Sequence, residues 1–265
     1  MKYKFIIITT MFSAFLQYNK IYAQNDMQNE LNKILAIENV EQRIILADTF
    51  CAKFAKIINV SAEDGKIDVS QRISQLFSND KTVGIYTWCV PTERGMYKYY
   101  GIVKSPKETF ILQDVNINNK YMTDEKFVNG KWYGAVYYDI VETSMNGKKA
   151  YTLLGNDLKG FLSNKKIIDV LSFDDEDKPV FGAEIFEESN TYRLIFEYNA
   201  RSSMHLVYNK KQQMIVYNLL VPTNPAVEGD YRFYIPDISC DGLIYKNGKW
   251  TRVEDVIDAI LDKDR

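Results

Sequence analysis

With 265 residues, 46% of them hydrophobic, the chain is long enough to build a sizeable core without disulfide or metal staples, since chains of this size bury roughly 70% of their unfolded surface. Its 33 basic and 35 acidic residues leave a formal charge of -2, with no basic stripe or tail to neutralise phosphates, so nucleic acid is set aside as a partner. One His and three cysteines without a C-x-x-C pair cannot build a His-rich or Cys-rich zinc site.

Residues 1–24 read as a secretory signal: Lys2 and Lys4, the apolar run from Phe5 to Leu16, then a polar stretch ending in Ala23. The apolar run is 12 residues, short of the roughly 20 that cross a bilayer. The expectation is cleavage near Ala23 or Gln24, export to the periplasm or beyond, and no transmembrane segment in the mature chain. No structural disulfide is expected among Cys51, Cys89 and Cys240.

Residues 25–80 form a helical region, because neither Gly nor Pro occurs between 25 and 64. Met27, Leu31, Ile34 and Leu35 follow helical spacing. A second helix starts at Asn39, a capping residue with Gln42 three positions on, and carries Ile44, Ala47, Cys51, Phe54, Ala55 and Ile58 on one face. Cys51 on that stripe reads as a small buried hydrophobe. A third, shorter helix is expected over 69–77, with Ile73, Leu76 and Phe77 inward. The region is expected to dock on the rest of the chain rather than fold alone.

Residues 81–265 change character: 16 of the 19 Tyr and all three Trp lie from 86 onward. Such aromatic density favours strands. Strands are expected at 83–90, 96–103, 109–115, 132–141, 149–154, 166–173, 180–186, 191–198, 203–209, 213–220, 231–235 and 243–246. Asn129-Gly130, Asn146-Gly147 and Asn247-Gly248 supply the positive backbone angles of tight hairpins, so the strands pair antiparallel. In 191–198 strict alternation sends Tyr192, Leu194, Phe196 and Tyr198 to a core face, and Thr191, Arg193, Ile195 and Glu197 to a wet one. Asn-Gly-Lys-Trp occurs at 129–132 and again at 247–250, each copy a turn followed by an aromatic strand start. Val253, Val256, Ile257, Ile260 and Leu261 suggest a short C-terminal helix. The fold class is therefore α+β, mainly antiparallel β, a sandwich or strongly curved sheet with the helical region packed on it.

The segments 84–90, 151–155, 165–173, 179–182 and 241–250 resemble a family of uncharacterised exported proteins from Bacteroidota. That resemblance implies export and the two-part layout, and carries no activity or site residue.

Few mechanisms remain open. His205 could serve a Cys or Ser nucleophile, yet no G-x-S-x-G elbow is present. Asp139, Asp169, Glu184 and Glu197 lie in expected strands, where two converging carboxylates would suit a glycosidase. The run Asp174 to Asp177 reads as a charged hairpin tip rather than a calcium loop. No phosphate-binding glycine loop occurs. The remaining lead is aromatic: Tyr97, Tyr99, Tyr100, Tyr133, Tyr137 and Tyr138 are more rings than one sheet face buries, and exposed members would stack on a glycan or a protein partner. The expectation is an exported, non-enzymatic envelope or periplasmic protein, without cofactor, that binds a protein partner or glycan through its β region. A hydrolase acting on an envelope polymer is the alternative.

Overall fold

The computed structural model describes residues 27, 29–60, 67, 69–93, 95–116, 121–158, 160–188 and 190–256. The signal segment and residues 257–261 of the expected C-terminal helix lie outside them. The chain divides into two compact units, Met1–Ile73 and Ser74–Arg265.

In the first unit, α1 spans residues 29–35 and α2 spans Val40–Val60. The Asn39 side chain accepts a hydrogen bond from the Gln42 backbone N–H at 2.8 Å, so the expected cap forms. Along α2 the buried positions are Ala47, Phe50, Cys51, Phe54, Ala55 and Ile58, one stripe at helical spacing, with Ile44 half-buried at its start. Phe50 joins that stripe one turn before Phe54, and their ring centroids lie 6.0 Å apart. Lys53 Nζ meets Glu30 at 2.6 Å between the two helices, an exposed pair that contributes little.

The expected helix at 69–77 does not form. Ser74–Phe77 is instead strand β1, paired with Phe77 opposite Gly84 and Ser74 opposite Thr87. Ile73, Leu76 and Phe77 satisfy a helical period, but over so few residues periodicity does not separate helix from strand, and cross-strand pairing decides. The boundary accordingly falls at Ile73/Ser74 and not near residue 80.

The described residues of the second unit form three sheets. The first runs in chain order through β1, β2 (Gly84–Pro91), β3 (Tyr97–Lys104), β4 (Thr109–Asp114) and β5 (Lys131–Trp132). The second comprises β6 (Val136–Met145), β7 (Lys148–Asp157), β8 (Ser163–Phe173), β9 (Pro179–Phe181) and β10 (Leu194–Asn199), ordered β10-β8-β7-β6 with β9 also on β8. The third is β11 (Leu206–Asn209), β12 (Met214–Pro222), β13 (Tyr234–Lys246) and β14 (Lys249–Val253). Pairing between strands is antiparallel except for β4 with β5.

Asn146-Gly147 and Asn247-Gly248 make the expected tight hairpins, with φ of 52° and 77°, and of 52° and 82°. Asn129-Gly130 also turns with both angles positive, but β5 after it pairs parallel to β4, so this turn is no hairpin. Its upstream neighbour Phe127 bridges to Phe181 instead. The expected strand 132–141 breaks at Gly134, whose φ is +86°. Residues 231–233 form a 3-10 turn, and Val253 ends β14 rather than opening a helix.

The second sheet is the middle layer. Tyr151, Leu153, Ile167 and Leu171 face a core shared with Ile85, Val103 and Trp132 of the first sheet. Ala150, Leu154, Ile168 and Val170 face a second core shared with Leu206, Ile215, Leu243 and Trp250 of the third. Strand alternation therefore sends β7 and β8 side chains into two cores, and both strands are buried along most of their length. The repeated Asn-Gly-Lys-Trp puts one tryptophan in each core, Trp132 in the first and Trp250 in the second.

Candidate functional site

The wet face expected for 191–198 is not wet. Arg193 is fully buried and Glu197 is 9% exposed, because the segment from Tyr121 to Phe127 lies over the face that alternation assigned to solvent, with Phe127 against Arg193 and Tyr121 against Glu197. Arg193 Nε lies 3.2 Å from Asp169 Oδ1, and both side chains are wholly inaccessible. Tyr137 donates to Asp169 Oδ2 at 2.8 Å. Arg193 Nη1 donates to the Met122 and Glu125 carbonyls, and the guanidinium lies 4.4 Å from the Phe127 ring. The ion pair thus fastens the segment after Tyr121 onto the middle sheet.

The six tyrosines expected as an exposed platform are mostly core. Tyr99, Tyr100, Tyr133 and Tyr137 are buried, and Tyr97 and Tyr138 are half-buried. Tyr100 stacks on Trp88 at 5.4 Å, Tyr133 donates to Asp157 at 3.0 Å, and Tyr138 donates to the Leu206 carbonyl at 2.7 Å. Burial, with the Asp157 and Asp169 carboxylates, pushes the Tyr133 and Tyr137 phenols far above their ordinary range. Rings accumulated in this part of the sequence because two sheets pack there.

The carboxylates do not converge. Asp169 answers Arg193. Glu197 accepts from Tyr121 and Ser163, while Glu184 is exposed and accepts from the Asn190 backbone at 3.1 Å. Half-buried Asp139 turns back on the Ile140 N–H at 2.9 Å. The acidic run 174–177 forms the expected hairpin tip, with Asp174 accepting from the Glu176 and Lys178 N–H groups.

His205, just before β11, lies beside Asn218 of β12, which stands opposite Cys240 of β13, a composition suggestive of nucleophilic catalysis. Their roles are otherwise. Asn218 Oδ1 accepts from the His205 backbone at 2.8 Å, and its Nδ2 donates to the Asp237 carbonyl at 3.0 Å and to Cys240 Sγ at 3.3 Å. The asparagine lies between the other two and holds the bulge where the β12–β13 register shifts. His205 is exposed, and burial pushes the Cys240 thiol up, opposite to what a reactive thiolate needs. None of the three cysteines forms a disulfide.

The site that the geometry offers lies between the middle and third sheets. A cleft of about 420 Å³ is walled by Ile195, Phe196 and Glu197 of β10 and by Tyr217, Leu219 and Leu220 of β12. Tyr121 and Tyr231, each 46% exposed, stand over it with ring centroids 6.3 Å apart. A second cleft of about 500 Å³ shares Phe196, Tyr217 and Leu219 with the first and extends to Phe186, Trp250 and Arg252. The two make one continuous apolar groove. Phe196 and Tyr217 pack at 4.9 Å inside it, and burial, then the nearby Asp241, pushes the Tyr217 phenol up to about 12.

Glu197 at the groove floor lies opposite Lys165 in the strand register, and Lys165 Nζ sits 4.7 Å from the Tyr121 ring centroid. Burial and the hydrogen bond to Glu197 raise the Tyr121 phenol above its usual range. At the far end Arg252 Nε donates to the buried Asp241 at 2.6 Å. The groove residues come from seven separate stretches of sequence, and no local pattern marks them as one site.

No protein-family model, curated protein or solved structure matches this chain.

Proposed function

We propose that the protein is an exported, non-enzymatic envelope or periplasmic protein that binds a protein partner in the groove between β10 and β12. The observation that carries this reading is the groove itself: an apolar channel whose inner polar side chains, Glu197 and Asn218, are committed to holding its walls. A glycan would require polar groups facing the ligand, and Glu197 and Asn218 are spent on the protein. Hydrolysis would require a second carboxylate facing Glu197 across bound substrate. The apolar surface continues outside the groove, with Val221, Phe233 and Ile235 each between 37% and 40% exposed and Ile238 88% exposed. A contiguous apolar rim is what protein interaction surfaces present. Export is supported by the Lys2, Lys4 and apolar-run pattern.

The test is a photo-cross-linker, benzoylphenylalanine, placed at Tyr231 and, as a control, at the exposed Lys107. In living cells the Tyr231 site should yield a discrete protein adduct that the Lys107 site lacks. Equal adducts at both sites, or none at Tyr231, would remove the groove from the account.

A further inference from the structure

We infer that the occupant of this groove is a basic, extended polypeptide segment that adds as a strand to the outer edge of β10. The inference rests on the reading of the groove as a protein-binding site and names the chemistry of its partner. Among the described residues β10 is the terminal strand of its sheet and pairs with β8 alone. Its edge at Ile195–Glu197 opens into the groove. On the facing wall, β11 covers β12 only as far as Tyr217, with one further backbone bond at Asn218. Beyond that point no strand lies against that edge of β12 among the described residues. Two strand edges thus look into one apolar channel.

An edge strand of this kind presents backbone N–H and C=O groups in a row, and natural edges are ordinarily guarded by Lys, Pro or a bulge. β10 reads Leu-Ile-Phe-Glu-Tyr-Asn, with no Lys, Pro or bulge; the 3-10 turn at 231–233 packs against the strand, Asn199 Nδ2 donating to the Arg232 carbonyl at 2.9 Å, and leaves Ile195–Glu197 lining the groove. An extended segment satisfies such an edge through its own backbone, while every second side chain turns toward the groove floor. The floor there is Phe196, Tyr217 and Leu219, so those side chains must be apolar.

The charge of the partner follows from the rim. Three acidic residues line the groove, Glu187, Glu188 and Glu197, against one basic residue, Arg252. Arg252 is answered by Asp241. Exposed Glu187 and Glu188 are then the uncompensated charges at that end, among the described residues. Aromatic faces at the rim also favour cations over anions. A segment alternating apolar with Lys or Arg residues fits both walls and rim.

The experiment uses the purified protein with a fluorescein-labelled ten-residue peptide alternating Val and Lys, its Val/Glu counterpart, and a chitin oligosaccharide. Fluorescence anisotropy should show saturable binding of the Val/Lys peptide alone, weakening as salt is added. Glu187→Gln with Glu188→Gln should lower its affinity by roughly two- to thirtyfold, as two exposed charge contacts are lost. N-methylation of one alternate set of peptide nitrogens should abolish binding while methylation of the other set is tolerated, since only one set faces β10. Equal affinity for the Val/Glu peptide, tolerance of both methylation patterns, or preference for the oligosaccharide would overturn the inference. If neither peptide binds while the Tyr231 cross-link still forms, the inference alone falls; if the cross-link is also absent, the functional reading falls with it.

Discussion

Asp169→Asn is the substitution whose cost the structure defines most sharply. The carboxylate receives Arg193 Nε at 3.2 Å, the Tyr137 hydroxyl at 2.8 Å and the Val170 N–H at 2.9 Å, all out of contact with solvent. Asparagine keeps the shape, removes the charge and leaves the Arg193 cation buried without a counter-ion. Breaking one side of a buried pair costs about 3–5 kcal/mol. For a unit of this size each kcal/mol lowers Tm by about 2–4 °C, so the shift should fall between about 6 and 20 °C. Adding Arg193→Met removes the orphaned cation, and the double variant should be no less stable than Asp169→Asn alone. Urea unfolding followed by tryptophan fluorescence is the assay, because Trp88, Trp132 and Trp250 are all at most 1% exposed. A single-variant loss below about 1 kcal/mol, or strictly additive losses in the double variant, would refute the view that these two charges form one buried unit.

Other outcomes rest on the same contacts. Asn218→Leu should destabilise by about 1–3 kcal/mol, by stranding the His205 N–H and Asp237 carbonyl, with amide exchange rising first around the β12–β13 bulge. His205→Ala should change stability by less than about 0.5 kcal/mol and leave peptide binding intact, since the side chain is exposed; loss of binding would give His205 a role that the geometry does not support. Alkali should unfold the β unit. Tyr133, Tyr137 and Tyr217 have raised native pKa values, so the stability they contribute is complete below the unfolded value of ~10 and is lost as pH rises through the native values, the first near about 12 for Tyr217. Phenolate absorbance at 295 nm should therefore rise together with loss of circular dichroism, and ionisation of all 19 Tyr near pH 10 in a folded protein would contradict it. Mass spectrometry of the protein recovered from its native compartment should find a new N-terminus near Asn25, whereas an intact Met1 would sink the export reading.

What could be read from sequence was what local chemistry dictates. The Asn39 cap, the Cys51 stripe and the two Asn-Gly hairpins depend on a few neighbouring residues, and each formed as expected. Strands were legible from aromatic and β-branched runs, although the four-residue β1 was hidden within a helical period. The layering was not legible. Alternation in 191–198 identifies two faces, but not that the distant segment from Tyr121 to Phe127 lies over the second one, so Arg193 and Glu197 read as solvent-facing when they are buried. For the same reason Tyr99, Tyr133 and Tyr137 read as surplus rings. The groove depends on β10 and β12 coming together from different sheets, and no local pattern encodes that.

The central claim, that the outer edge of β10 receives an extended basic segment, is tested most directly by amide hydrogen exchange with and without saturating Val/Lys peptide. Protection should appear at Ile195–Glu197, with β1–β5 unchanged. Protection confined to the first sheet, or no change along β10 while the peptide is bound, would contradict it.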